Sequence, residues 1–310
     1  MTGRDRSDKG EILFRSGLLE RAIAALEPAH RADPTNLKLG TRLVDAYRAS
    51  GDLAAAAELV ARLAGTAPDD RWLAYLDDLF SGRATTPSAV DAETVPAPFV
   101  VHDGFLPDYE REQIWDFALR SPQAFKAATV ARRFARTDID QRVDPDARRA
   151  RTISSPREVA ALMEPRLRPL VQSEAGRLGL APPRIDHIEL EVAAYGNGDL
   201  FRCHQDLFEA ERSRRVLSYV YFFAPEPLAF SGGELLLYDL DTSRQSFAPN
   251  RFTRIDPACN RLVLFDPATF HEVTPIRCAS DDPRHQRYTA TGWVHEAVEL
   301  GERQDAQPPQ

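Results

Sequence analysis

Two residues in Ala194-Tyr195-Gly196-Asn197-Gly198-Asp199-Leu200-Phe201-Arg202-Cys203-His204-Gln205-Asp206 offer metal-binding chemistry at a useful spacing. His204 and Asp206 stand two apart at the end of an apolar, strand-like run, and side chains two apart on a strand point to one face. An imidazole and a carboxylate on one face are two thirds of a facial metal site. The third candidate is His271, in Phe265-Asp266-Pro267-Ala268-Thr269-Phe270-His271-Glu272-Val273, at the start of a later strand that barrel closure can bring alongside. Two neutral imidazoles and one carboxylate suit Fe(II) and leave three positions open. Arg287 follows, in His285-Gln286-Arg287-Tyr288-Thr289-Ala290-Thr291-Gly292-Trp293. A fixed cation within a barrel needs an anion, and the guanidinium fork matches a carboxylate.

These residues need a β scaffold. From Ile185 to Val298 the pattern is of strands and turns, with strands expected at 185–195, 200–206, 216–223, 233–238, 252–255, 261–265, 271–274 and 287–294. About eight short strands in about 110 residues argue for a jelly roll or small barrel. Alternation turns Cys203 and Glu272 away from the metal face. His187, His285 and His295 read as structural or surface residues. Upstream, Phe99–Leu106 reads as a strand, Asp108 as the N-cap of a helix through Trp115 and Leu119, and Val159–Leu178 as a helix. Residues Arg132–Arg157 interleave eight arginines with Asp138, Asp140, Asp144 and Asp146. That segment reads as a solvated mixed-charge loop or as a mobile flap over the site.

The ordered motifs Tyr195-Gly196-Asn197-Gly198, His204-Gln205-Asp206, Ser231-Gly232-Gly233-Glu234-Leu235, His271-Glu272-Val273 and Arg287-Tyr288-Thr289-Ala290-Thr291-Gly292-Trp293 resemble the prolyl-hydroxylase-like branch of 2-oxoglutarate/Fe(II) oxygenases. The resemblance covers roughly Phe99 to His295. It implies His204, Asp206 and His271 as iron ligands and Arg287 as the partner of the distal carboxylate of 2-oxoglutarate. It also implies Tyr195 and Tyr221 in the cosubstrate pocket and Thr291 as a further hydroxyl there. The implied activity is a dioxygenase that uses Fe(II), 2-oxoglutarate and O2, with ascorbate as an accessory reductant, to hydroxylate a C–H bond. One departure is the longer link from His271 to Arg287 through Cys278-Ala279-Ser280-Asp281-Asp282-Pro283, which a lengthened hairpin loop would absorb.

Ahead of this lies helical sequence with an internal repeat. Ser16-Gly17-Leu18-Leu19-Glu20-Arg21-Ala22 recurs as Ser50-Gly51-Asp52-Leu53-Ala54-Ala55-Ala56, and Pro34 recurs as Pro68. The spacing is the 34-residue tetratricopeptide period, and the region resembles a short array of that kind, closed by a capping helix from Asp69 to Phe80. Two repeats are few for a free-standing solenoid, so the array is expected to pack on the next domain. The expected fold class is α+β: a double-stranded β-helix (jelly-roll) catalytic domain with flanking helices, preceded by a small all-α helical-repeat domain. Its parts are residues 1–83 helical, 84–96 linker, 97–300 jelly roll and 301–310 a disordered tail.

Composition narrows the function classes. With 43% hydrophobic and 28% charged residues among 310, the chain reads as a globular protein. A net charge of −8 argues against a nucleic-acid or anionic-membrane binder. Met1–Asp8 is polar and no apolar run reaches membrane-spanning length. Three scattered cysteines point to reduced thiols in a cytoplasmic protein, without a C-x-x-C zinc pattern. The family resemblance, together with the helical repeats that would help to hold it, implies as substrate a prolyl or other residue of a peptide or protein. A free amino acid or carrier-bound metabolite is the rival substrate. Two other readings stay open: a degenerate barrel in an interaction protein, and a metal enzyme using zinc or manganese without 2-oxoglutarate, which leaves Arg287 unexplained.

Overall fold

A computed structural model describes residues 3–83, 93–133, 139–207 and 213–297. Five helices come first: α1 (Gly3–Arg15), α2 (Leu19–Ala32), α3 (Leu37–Ser50), α4 (Leu53–Thr66) and α5 (Arg71–Ser81). Gly17 and Gly51, one repeat apart, have φ of +70° and +87°, values that favour glycine at the turn between paired helices. Asn36, Asp52 and Asp70 cap α3, α4 and α5 by accepting backbone N–H bonds. On α5, Leu73, Tyr75, Leu76 and Leu79 are the buried residues, while Trp72 and Phe80 pack partly buried against the same core.

The strands are β1 (Thr94–Val95), β2 (Phe99–Asp103), β3 (Lys126–Ala127), β4 (Val130–Arg133), β5 (Ile139–Arg142), β6 (Arg148–Arg149), β7 (Arg151–Ser154), β8 (Ile185–Tyr195) and β9 (Leu200–His204). They continue as β10 (Ser213–Phe222), β11 (Phe230–Ser231), β12 (Leu235–Asp241), β13 (Ser246–Ile255), β14 (Arg261–Phe265), β15 (His271–Val273), β16 (Arg277–Cys278) and β17 (Arg287–Ala297). One sheet runs β2-β14-β10-β17-β8-β7-β3. The other runs β1-β12-β15-β9-β6, with β13 also paired to β12. Their non-sequential antiparallel order, two sheets face to face, is a jelly roll. Each strand expected from the sequence is present, with ends shifted by a few residues; β13 begins earlier, at Ser246 rather than Phe252.

Alternation along β10 divides two cores. Tyr219, Tyr221 and Phe223 turn outward beneath α6 (Asp108–Arg120) and α7 (Arg157–Glu174), against Ile114, Met163 and Leu167. Val220 and Phe222 turn inward. There Phe99, Val263 and Phe265 of one sheet meet Leu235, Leu237 and Ile255 of the other, and this core continues without a break into Leu43, Leu73, Leu76 and Leu79 of the helices. Asp108 proves to be the first residue of α6, after Pro107, with no side-chain cap bond.

The segment read as a solvated loop or flap is largely sheet. The strands β4 and β5 form a hairpin, β6 pairs with β9, and β7 pairs with β8. The arginines of β6 and β7 therefore extend both sheets rather than float over them. Residues 134–138 of that segment, 84–92 of the expected linker and the expected tail at 301–310 lie outside the described residues.

Candidate metal centre

His204 ends β9 and His271 begins β15, and the two residues are register partners. The Nε2 of His204 lies 3.6 Å from Asp206 Oδ1, and the Nε2 of His271 lies 3.5 Å from Asp206 Oδ2. Ligand atoms of all three fall within 4.8 Å of one another, and among the described residues this is the one such His/Cys/Asp/Glu group. Each imidazole is oriented from behind. The Nδ1 of His204 is 2.7 Å from the Arg202 carbonyl, and the Nδ1 of His271 is 2.9 Å from the Thr269 carbonyl. A proton on Nδ1 must donate to that carbonyl, which leaves an Nε2 lone pair facing the cluster on each ring.

Electrostatics agree with this donor set. Burial would raise the Asp206 pKa, but the His271 and His204 imidazoles and the Trp293 indole outweigh it and hold the carboxyl well below the usual carboxylate range. Ser218 Oγ donates to Asp206 Oδ2 at 2.9 Å, while the nearby Trp293 N–H favours the charged form without completing a hydrogen bond. Burial, and next the charge of His204, push the His271 pKa down to about 4, so that ring is neutral near pH 7. One anionic oxygen donor and two imidazoles fit a divalent iron ion.

Above the cluster, Arg287 of β17 is 1% exposed. Its Nε donates to the Gly233 carbonyl at 2.8 Å, and its guanidinium stands 4.9 Å from the ring centres of both Tyr195 and Phe222. One terminal nitrogen, Nη2, is buried without a hydrogen-bond partner. Burial lowers its pKa to about 10, partly offset by Tyr195 and Glu234. The glycines before β12 make room for this group. Gly233 has φ +74°, and a Cβ there would lie 2.5 Å from Arg287 Cδ; a Cβ on Gly232 would lie 2.1 Å from the Pro275 carbonyl oxygen.

His204, Asp206, His271, Arg287, Tyr195 and Thr291 line one cavity. Thr291 donates its hydroxyl to the Tyr219 carbonyl at 2.9 Å. The structure does not bring Tyr221 there. It lies on the outward face of β10, fully buried, donating to Asn260 Oδ1 at 2.9 Å and set edge-on to Phe105. Strand alternation, which separates Tyr221 from Val220, overrides the motif spacing that suggested it. Cys203 and Glu272 lie off this cavity, and His295 is buried against Glu189. The extra residues before Arg287 form β16, which pairs with β11, and a short turn at Pro283–His285; Arg287 still faces Tyr195 in register.

Several lining residues escape the sequence reading: Arg148, Glu191, Phe201 and Thr289. Thr289 and Trp293 share the Arg287 face of β17 by simple alternation, a signal present in the sequence. Phe201 does not, because a bulge between His271 and Val273 gives β9 one extra residue and turns Phe201 to the face of His204. The two rings stack at 3.6 Å, and the Arg148 guanidinium, paired with Glu191, stands 4.7 Å from the Phe201 ring centre. Beyond these residues the cavity opens into a cleft of about 370 Å³ that also meets Thr129, Gln205, Leu207 and Arg215.

Comparison with known proteins agrees with this geometry. Residues 190–295 match the family model of the 2OG-Fe(II) oxygenase superfamily, whose members use Fe(II), 2-oxoglutarate and O2, and residues 13–76 match the tetratricopeptide repeat model. A PKHD-type hydroxylase of Synechocystis is 33% identical over 141 residues, 45% of this chain and 46% of its own length. A prolyl 3-hydroxylase of Xenopus laevis is 31% identical over 111 residues, 35% of this chain and 20% of its own. The chain thus spans less than half the length of these curated relatives. Among solved structures, a Trichoplax adhaerens prolyl hydroxylase bound to a hypoxia-inducible-factor peptide fragment is similar at TM-score 0.48 and 22% identity, over 68% of this chain and 87% of its own. A Pseudomonas putida prolyl-4-hydroxylase is similar at TM-score 0.45 and 21% identity, over 72% and 97%. Residues 190–295 thus match the 2OG-Fe(II) oxygenase superfamily model, and residues 13–76 ahead of them match the tetratricopeptide repeat model.

Proposed function

We propose that this protein is an Fe(II)- and 2-oxoglutarate-dependent dioxygenase that hydroxylates a C–H bond of a prolyl or other residue in a peptide or protein. The observation that carries the reading is the buried, unpartnered Nη2 of Arg287 beside a His-Asp-His cluster. A buried arginine without a carboxylate partner, on the wall of a cavity, calls for an anionic ligand. A dicarboxylate that reaches both the guanidinium and the metal satisfies it.

In this reading His204, Asp206 and His271 hold the iron. Arg287 binds the distal carboxylate of 2-oxoglutarate, with Tyr195 beneath the guanidinium and Thr291 lining the same cavity. Fe(II), once bound with 2-oxoglutarate and O2, would supply the oxidising power for hydroxylation, with succinate and CO2 as the co-products of 2-oxoglutarate. The chain's own residues supply placement and dryness. Nδ1 contacts fix both imidazoles, Ser218 fixes Asp206, and the apolar walls Val220, Leu235, Phe265 and Val273 exclude water. The cleft beside His204 is open to solvent, as access by a large substrate requires, and the prolyl 3-hydroxylase name of one relative favours a prolyl residue as that substrate. The catalytic domain is taken as residues 97–300. The three free cysteines suit a reducing compartment such as the cytoplasm.

Anaerobic titration of the metal-free protein with Fe(II) and then 2-oxoglutarate tests this directly. The expected result is a visible metal-to-ligand charge-transfer band, absent in His204→Ala, together with succinate release in air from the wild type alone. Turnover retained in His204→Ala would sink the ligand assignment. Prolyl peptide libraries incubated with the holoenzyme should gain one oxygen by mass spectrometry; gain of oxygen only on free amino acids would move the substrate class.

A further inference from the structure

Helices α1, α3 and α5 alternate with α2 and α4, so they share one side of the stacked array. Much of that side is occupied by the barrel. From α3, Arg48 reaches out of the helices to β12 and β13, where it is 1% exposed. Its terminal nitrogens donate to Asp239 Oδ2 at 3.1 Å and Oδ1 at 2.5 Å, and its Nε and Nη2 donate to Thr253 Oγ1 at 3.1 and 2.9 Å. Asp239 is itself fully buried. Around this pair, Asp45 stands 3.6 Å from both Arg48 and Arg251. Nearby, Tyr75 of α5 donates to the Pro96 carbonyl at 2.8 Å, and Phe80 meets Phe99 edge-on with ring centres 6.4 Å apart.

Asp239 sits where the β12–β13 ladder breaks, between Tyr238 and Leu240. On the other edge of β12, the Tyr238 amide donates to the Phe270 carbonyl at 2.9 Å, and Leu237 is the register partner of His271. One hydrogen bond therefore joins the residue before Asp239 to the residue before His271. The His271 ring also packs on Phe265, with centres 4.8 Å apart, within the core that the helices complete.

A buried ion pair adds little net stability over well-packed apolar residues; its best-attested use is to fix one register. We propose that Arg48 is a positioning residue for the metal centre: by clamping Asp239 it fixes β12 against β15 and so sets His271 opposite His204 and Asp206. The helical array is then an end-plug of the catalytic barrel. This inference rests on the reading of those three residues as iron ligands.

Full-length Arg48→Lys keeps the charge but loses the planar fork, and full-length Arg48→Met/Asp239→Leu replaces the pair by apolar side chains. Fe(II) affinity is measured by titration, and amide hydrogen exchange is followed in the metal-free proteins. The expected result is a loss of Fe(II) affinity of about tenfold in both variants, with faster exchange at Leu235–Asp241 and His271–Val273 and unchanged exchange in β8 and β17. The double variant should melt near the wild-type temperature, which separates positioning from stability; if Arg48→Lys does not fold, the double variant carries the test alone. Wild-type Fe(II) affinity and wild-type exchange in the folded variants overturn the role of Arg48. Absence of Fe(II) binding by the wild type overturns the ligand assignment instead, while the exchange measurement still decides whether Arg48 holds β15.

Discussion

His271 is a neutral ring in a buried place, and that has a measurable consequence for the metal-free protein. Its pKa falls from 6.5 in the unfolded chain to about 4 in the folded one, because burial and the neighbouring His204 oppose a charge there. Between those values the unfolded state binds more protons, so stability rises with pH. The contribution is complete above about pH 6.5 and is lost as pH falls towards 4, on the order of 3 kcal/mol in all. Thermal melts of metal-free protein should therefore fall steeply from pH 6.5 to 4.5, and less steeply in a folded His271→Gln variant. Equal slopes would show that the ring does not stay neutral in the fold. Arg287 makes a second, separable test at this scale. Arg287→Met should raise the KM for 2-oxoglutarate about 10- to 100-fold, the range for a charge-assisted hydrogen bond. Fe(II) affinity, held by other residues, should stay unchanged in the same protein.

At the scale of elements, much of the site was legible because strands carry a period of two. That period placed His204 with Asp206 and turned Cys203 away, and the ends of β8 and β14 fall where the apolar runs end. It failed where geometry departs from it. The bulge in β9 leaves no mark in composition, so Phe201 was unforeseen as the partner of His204. Tyr221 was misplaced because motif spacing was followed across a strand whose alternation says otherwise. The Ser231-Gly232-Gly233 turn was recognised as a motif, but its reason needed coordinates: Gly233 offers a positive φ, a carbonyl for Arg287 and no Cβ against its side chain. Gly233→Ala is accordingly expected to cost about 1–2 kcal/mol for the left-handed backbone alone and to raise the 2-oxoglutarate KM along with it. Gly65→Ala, on α4 with nothing within 4 Å of the new Cβ, is the control and should stabilise by up to about 1 kcal/mol. Parallel melts and succinate-release kinetics of the two variants would show whether Gly233 serves Arg287.

For the whole molecule, the repeat of 34 residues identified stacked helices, too few to stand free and so expected to pack on the next domain, but not the residues that join the two. Arg48 and Asp239 stand 191 residues apart, and neither lies in a pattern that marks an inward-facing charge. Sequence alone therefore suggested a peptide-gripping module packed on the next domain, without the contacts that fix it there, and one apolar core does run from Leu43 and Leu76 to Phe265 and Leu235. Cooperativity follows from that continuity. If the helices were an appended module, they would melt separately and first, since two repeats are few for a free-standing array. With the core shared, α3 cannot leave without exposing Leu237 and Ile255 and stranding Asp239, so the opening of the helices and the opening of the barrel become one event. Calorimetry of the metal-free protein should show one transition with equal calorimetric and van't Hoff enthalpies, and the slowest amides of α3 and β12 should share one opening free energy. Arg48→Met alone, which leaves Asp239 buried and unpaired, should lower that shared value by about 3–5 kcal/mol at both places together. A drop confined to α3 would divide the molecule into two folding units and return the helical face to the solvent, where a peptide could reach it.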